Sequence, residues 1–158
     1  MSKEGSIDTV AVLGAGAVGS YIISSLADKL GDKLWVIADG ARKERLLREG
    51  LRINERVYRP QVKTPAEAHG VDLLFVALKY QALLPSLPDI RQAVGKDTIV
   101  VSLMNGIDSE EIIGECVGKE HILYSLIRIT SRRTESGVSF ELPEGYNGIY
   151  LGIPGKKA

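Results

Sequence analysis

The 158-residue chain has a single cysteine, Cys116, and only two histidines, His69 and His121. An internal disulfide is therefore excluded, and a Cys/His metal-ligand cluster has too few members to form. Cys116 reads as a small core residue in a helix. No Ser/His/Asp or Cys/His arrangement is in view, so nucleophilic catalysis lacks a candidate. Charge of one sign is missing too: 20 Lys and Arg stand against 20 Asp and Glu. That balance does not describe a general polyanion binder, and no nucleic-acid partner is expected. No apolar run approaches the roughly 20 residues of a membrane-spanning helix, and Met1-Ser2-Lys3-Glu4-Gly5 is too polar and short for a signal peptide. No membrane partner is expected, and the default location is cytoplasmic.

What is present is an ordinary globular composition, 44% hydrophobic and 25% charged, enough for one substantial core. Its most informative stretch is Val10-Ala11-Val12-Leu13-Gly14-Ala15-Gly16-Ala17-Val18-Gly19-Ser20, an apolar strand that turns through three spaced glycines into a helix. The pattern reads as a dinucleotide site. Gly14 permits the tight turn, Gly16 lets the backbone approach a pyrophosphate, and Gly19 lets the helix pack on the strand. The helix offers free N–H groups and about half a positive charge at that end. Context supports the motif, since Val18, Tyr21, Ile22, Leu26 and Leu30 recur at helical spacing before Gly31.

Further along, Lys33 to Ala38 reads as a second strand. Asp39 follows it roughly 20 residues past the motif, where an acidic side chain can accept the ribose hydroxyls of NAD. Arg42, Lys43 and Arg45 come next and could instead hold the 2′-phosphate of NADP. Alternatively Arg42, Lys43, Arg45 and Arg48 are the wet face of a short helix with Leu46 and Leu47 turned inward. Leu51 to Pro60 reads as a hairpin, and Pro65-Ala66-Glu67-Ala68 as a short helical connection. Val71 to Leu78 and Thr98 to Leu103 are apolar enough for strands buried on both faces. Between them, Gln81 to Val94 is expected to be helical with a break near Ser86-Leu87, because Pro85 and Pro88 do not suit one regular helix. Asp108 and Glu111 suggest a capping box opening a helix to Val117. His121 to Ile129 is a strand, Arg132 to Gly137 a polar turn, and Val138 to Leu142 and Ile149 to Leu151 are two last strands.

This alternation predicts an α/β fold of Rossmann type, a mainly parallel sheet with helices on both faces and extra short strands near the C-terminus. In such sheets ligands bind outside the carboxyl ends of the strands, where Gly14 to Gly19, Asp39, Arg42, Lys79 and Asn105 all fall. Lys79 is the one plausible proton donor in that cleft, although electrostatic binding of cofactor or substrate is the role preferred for it.

Together, Gly14 to Ser20, Ala77-Leu78-Lys79-Tyr80-Gln81 and Leu103-Met104-Asn105-Gly106-Ile107-Asp108-Ser109-Glu110-Glu111 resemble the ketopantoate reductase (2-dehydropantoate 2-reductase) family. The closing Gly148 to Gly152 is similar to that family's last N-domain strand. The resemblance implies NADPH-dependent reduction of ketopantoate to pantoate, toward pantothenate and coenzyme A. It places Gly14, Ala15, Gly16, Ala17, Val18 and Gly19 around the pyrophosphate and Lys79 by the cofactor. Asn105 falls against nicotinamide ribose and substrate, and Ser131 by the nicotinamide pocket. Asp39 stands where members commonly have an arginine for the 2′-phosphate, with Arg42 three residues on, so NADP is expected and NAD stays open. The family's catalytic lysine and a substrate-binding glutamate lie on a second, helical domain, so no catalytic residue is expected in this chain. Residues 1–154 are expected to be the dinucleotide-binding domain and 155–158 a tail or the start of a linker, with the helical domain absent. A stand-alone NAD(P)-sensing module and a reductase for another small 2-oxo acid are the alternatives.

Overall fold

A computed structural model describes residues 6–104, 108–128, 130–135, 137–141 and 148–152. The glycine motif links strand β1 (Val10–Leu13) to helix α1 (Ala17–Leu30). β2 (Leu34–Ile37), α2 (Gly40–Glu49), β3 (Leu51–Ile53), β4 (Arg56–Tyr58) and β5 (Gln61–Lys63) follow. Then come β6 (Leu73–Val76), α3 (Tyr80–Ala93), β7 (Ile99–Ser102) and α4 (Ser109–Val117). The described chain ends with β8 (Ile122–Arg128), β9 (Thr130–Thr134), β10 (Gly137–Glu141) and β11 (Gly148–Gly152).

Seven strands form one sheet in the order β11-β8-β7-β6-β1-β2-β5. All neighbours are parallel except β11, which runs antiparallel to β8. Counted without β3 and β4, the six parallel strands follow the doubly wound order 3-2-1-4-5-6, which reverses direction between β1 and β6. Successive residues of β1 point to opposite faces, and both faces are sealed. Val10 and Val12 pack with Ile22 and Ile23 of α1, whereas Ala11 and Leu13 pack with Leu83 and Ile90 of α3 and Ile113 of α4. Burial on two sides is why these strands read as unbroken apolar runs.

A second sheet, β4-β3-β10-β9, lies against α1. Its β3–β4 hairpin turns through Asn54 and Glu55, both at positive φ (48° and 66°), as a tight two-residue hairpin demands. Several local expectations change. Arg132 and Arg133 belong to β9 instead of a turn, and β5 was not anticipated at all. Residues 65–70 form turns without a helix. Leu47 is 56% exposed while Leu46 is buried, because adjacent residues lie about 100° apart on a helix and only one can face the core. α3 runs unbroken through Pro85 and Pro88. Both prolines and the residues four before them, Gln81 and Leu84, are exposed, so the carbonyls that lose a helical partner face water. Asp108 makes no side-chain cap; its backbone is already helical, which turns the carboxylate away from the position a capping residue needs. Among the described residues, no helix is long and apolar enough to cross a membrane.

Asp72 ties the entry of β6 to the entry of β1. Its Oδ2 accepts the N–H groups of Asp8 and Thr9 at 2.8 and 3.0 Å, and its own N–H donates to Thr9 Oγ1 at 3.0 Å. Asp72→Ala should lower unfolding stability by about 1–3 kcal/mol, with Asp72→Asn losing less because an acceptor remains. Urea unfolding of the two variants checks this order.

Candidate functional site

The sheet carries its ladder past the strand ends. Ala77 N–H donates to the Leu13 carbonyl and Leu103 N–H to the Val76 carbonyl, each at 2.8 Å. The loops after β1, β6 and β7 are thereby held side by side where the strand order reverses, the position at which doubly wound sheets bind ligands.

The three glycines have different reasons. Gly14 has φ +101°, and a Cβ there would overlap the Ala77 carbonyl oxygen of the neighbouring loop. A Cβ on Gly19 would overlap the carbonyl oxygen of Gly14, so α1 sits directly on the turn that introduces it. At Gly16 an added Cβ meets nothing within 4 Å. The first helical bond of α1 runs from Ser20 N–H to the Gly16 carbonyl at 2.9 Å. Ala17, Val18 and Gly19 therefore have N–H groups without a helical partner, and the N-cap residue, Gly16, has no side chain to cap them.

A cleft of about 460 Å³ opens here, walled by Gly16, Ala17 and Val18 on one side and by Ala77 to Gln81, Leu103 and Met104 on the other. Among the described residues, its lining contains one charged residue, Lys79, and no carboxylate. Lys79 is the N-cap residue of α3, exposed, and its ammonium has no hydrogen bond or ion pair to any described residue. Neither α1 nor α3 has an acidic residue in its first turn. Two helix N-termini and a lysine thus meet at one opening, an arrangement that favours an anion.

Asp39 and Arg42 do not line this cleft. They stand one strand further along, Asp39 at the N-cap of α2 without a side-chain cap and Arg42 in the first turn. Arg42 is exposed and unpaired among the described residues. Lys43 is held by Glu67, Nζ to Oε1 at 3.0 Å. Burial, and then the Asp39 charge, raise the Asp89 carboxyl above its usual range. Asn105 lies outside the described residues, as does Gly106 beside it. The backbone of Ser131 is in β9, opposite Phe140 of β10. Glu67 was not anticipated, although Thr64-Pro65-Ala66-Glu67 has the T-x-x-E spacing of a reciprocal capping turn.

Fold, strand order and glycine turn define a Rossmann-type α/β protein with its cleft at the reversal of the sheet. The family model of ketopantoate reductase PanE/ApbA matches residues 10–153, and the chain belongs to that family. It is 33% identical over 103 residues to a 2-dehydropantoate 2-reductase of Mesorhizobium japonicum, covering 62% of this chain and 32% of the relative. The 2-dehydropantoate 2-reductase structure from Geobacter metallireducens superposes with a TM-score of 0.74 at 26% identity, over 91% of this chain and 48% of that one. A D-mandelate dehydrogenase solved with NADH and anilino(oxo)acetate gives 0.71 at 28% identity, over 84% and 45% of the two chains. The chain spans less than half the length of the curated relatives it matches.

The glycine geometry separates two substitutions of the same size. Gly19→Ala should cost about 1–3 kcal/mol of stability by overpacking, whereas Gly16→Ala should stay within about 0.5 kcal/mol of the parent. Thermal unfolding of both variants distinguishes them.

Proposed function

We propose that this chain is the cofactor-binding half of an NADPH-dependent reductase that converts 2-dehydropantoate to pantoate, toward pantothenate and coenzyme A. The observation that carries this reading is the cleft, without a carboxylate among its described lining residues, on which two helix N-termini without side-chain caps, Lys79 and the open Gly16 position converge. Those residues suit a dinucleotide: the space a Cβ would take at Gly16 is room for a pyrophosphate oxygen. The reduced nicotinamide, when bound, supplies the hydride for the substrate carbonyl.

The chain's own residues bind and orient. Gly14 and Ala15 form the turn, and the N–H groups of Ala17, Val18 and Gly19 donate to pyrophosphate oxygens. Lys79 adds positive charge on the opposite wall. At the end of β2, Arg42 offers paired donors to a 2′-phosphate, and Asp39 stands beside it to accept the one adenosine ribose hydroxyl, the 3′-OH, that NADPH keeps. Family resemblance assigns Asn105 to the nicotinamide ribose and the substrate, and Ser131 to the nicotinamide pocket. Residues 1–154 make up this half, with 155–158 a tail or the start of a linker. The proton donor and the substrate-binding glutamate come from a second, helical domain, and the whole enzyme is cytoplasmic. A second reading, an NADH-linked reductase of another small 2-oxo acid, is favoured by Asp39 and by the NADH-bound D-mandelate dehydrogenase among the structural neighbours.

Titration of the protein with NADPH and NADH tests the assignment. NADPH should bind more tightly, Arg42→Ala should weaken it about tenfold or more by removing a charge-assisted contact, and Gly16→Ala should weaken both nucleotides. Tighter NADH binding, or an Arg42→Ala protein that keeps its NADPH affinity, overturns the NADPH assignment in favour of the second reading. These 158 residues alone should reduce ketopantoate negligibly; turnover near the ordinary enzymatic rate of about 10 per second would refute the division of labour.

A further inference from the structure

The turn after β5 stands beside the cofactor edge of the sheet. β2 and β5 are parallel neighbours with Ile37 opposite Lys63, and Ala38 N–H donates to the Lys63 carbonyl at 3.0 Å. The segment starting at Thr64 therefore rises next to the Asp39-Gly40 loop and the first turn of α2. Within it, Thr64 and Glu67 hold each other: Glu67 Oε1 accepts Thr64 N–H at 3.0 Å, and Glu67 N–H donates to Thr64 Oγ1 at 3.2 Å. The same Oε1 accepts from Lys43 Nζ at 3.0 Å.

Arg42 and Lys43 on α2 thus share this corner with Asp39 and Glu67, and the Asp89 carboxyl is near enough to Asp39 to feel its charge. Arg42 is unpaired among the described residues and Lys43 is not. A 2′-phosphate arriving at the end of β2 brings close to two negative charges and three acceptor oxygens, and every nearby cation counts in its affinity. NADH carries a hydroxyl there and is nearly indifferent to that count.

We propose that Glu67 is a specificity-determining residue: by engaging Lys43 it withholds one of two cations from the adenosine 2′-phosphate and so narrows the preference for NADPH over NADH. The inference rests on the dinucleotide-binding reading above. The Thr64 N–H, with help from Lys43, pulls the Glu67 carboxyl down to about 2, so it carries its charge at neutral pH. Glu67 touches no reacting atom and acts only through Lys43.

The test is the ratio of NADH to NADPH dissociation constants in the parent, Glu67→Gln, and the double variant Glu67→Gln with Lys43→Gln. Gln keeps an acceptor for Thr64 N–H, so the turn is retained while the charge goes. Glu67→Gln should tighten NADPH by about three- to tenfold, an amount typical of one exposed charge contact, with NADH unchanged within about twofold. The double variant should lose that gain, and the gain should shrink in 1 M salt, where the Debye length is about 3 Å. An unchanged ratio in Glu67→Gln, a gain that survives Lys43→Gln, or equal weakening of both nucleotides overturns the role of Glu67. A parent protein that binds neither nucleotide overturns the functional reading itself, and the two failures are thereby distinct.

Discussion

The seating of Gly19 on the Gly14 carbonyl oxygen is the contact on which the site depends. It seats α1 directly on the turn that introduces it, so that Ala17 and Val18, whose N–H groups lack helical partners, line the cleft at the sheet's carboxyl edge. Gly14 meanwhile lies so close to the Ala77 carbonyl that the loops after β1 and β6 are locked together at the reversal of the strand order. The apolar layers under α1 and α3 then hold this arrangement rigidly from both faces. Local backbone contact comes first, and the cleft is its consequence.

A net charge of zero conceals a local order of charge. The cleft between α1 and α3 has no carboxylate among its described lining residues, while acids and bases stand together one strand away on α2 and the turn after β5. Only short-range placement matters here, because exposed charges more than about 8–10 Å apart are largely screened at ordinary salt. Composition could therefore rule out a polyanion-coated surface and still say nothing against a single anion-binding corner.

What the sequence made legible follows from the range of the forces involved. Val71 to Leu78 and Thr98 to Leu103 announced central strands because burial on two faces leaves an apolar run with no alternation. The glycine turn was legible because its spacing encodes contacts within one βα unit. By contrast, β5 is three residues long and is defined by its pairing with β2, twenty-six residues earlier, which no local pattern reveals. Leu47 was misplaced because a short helix offers a window too narrow to fix its phase. The unbroken α3 was missed since proline's cost depends on whether the freed carbonyls of Gln81 and Leu84 face water, a property of the packed fold. The Lys43–Glu67 pair spans two elements and was invisible for the same reason.

Lys79 shows where stability and function pull apart. The N-cap position prefers Ser, Thr, Asp or Asn, whose oxygen satisfies a free N–H, and the positive end of the helix disfavours a cation. Lys79 offers neither the oxygen nor the sign, and α3 has no acid in its first turn to compensate. Two prolines further weaken the same helix, so its register is maintained by tertiary burial of Leu83, Ile90 and Ala93 instead of by local preference. A helix selected for its own stability would not begin this way. In the function proposed above, an anion between α1 and α3 reverses the balance: the same ammonium and the same N–H groups without helical partners would bind it, and what costs α3 stability would add affinity. The position at which local rules fail, Lys79 at the start of α3, is thus also the one charged residue among the described lining of the cleft, where such a failure is expected if the proposed function holds.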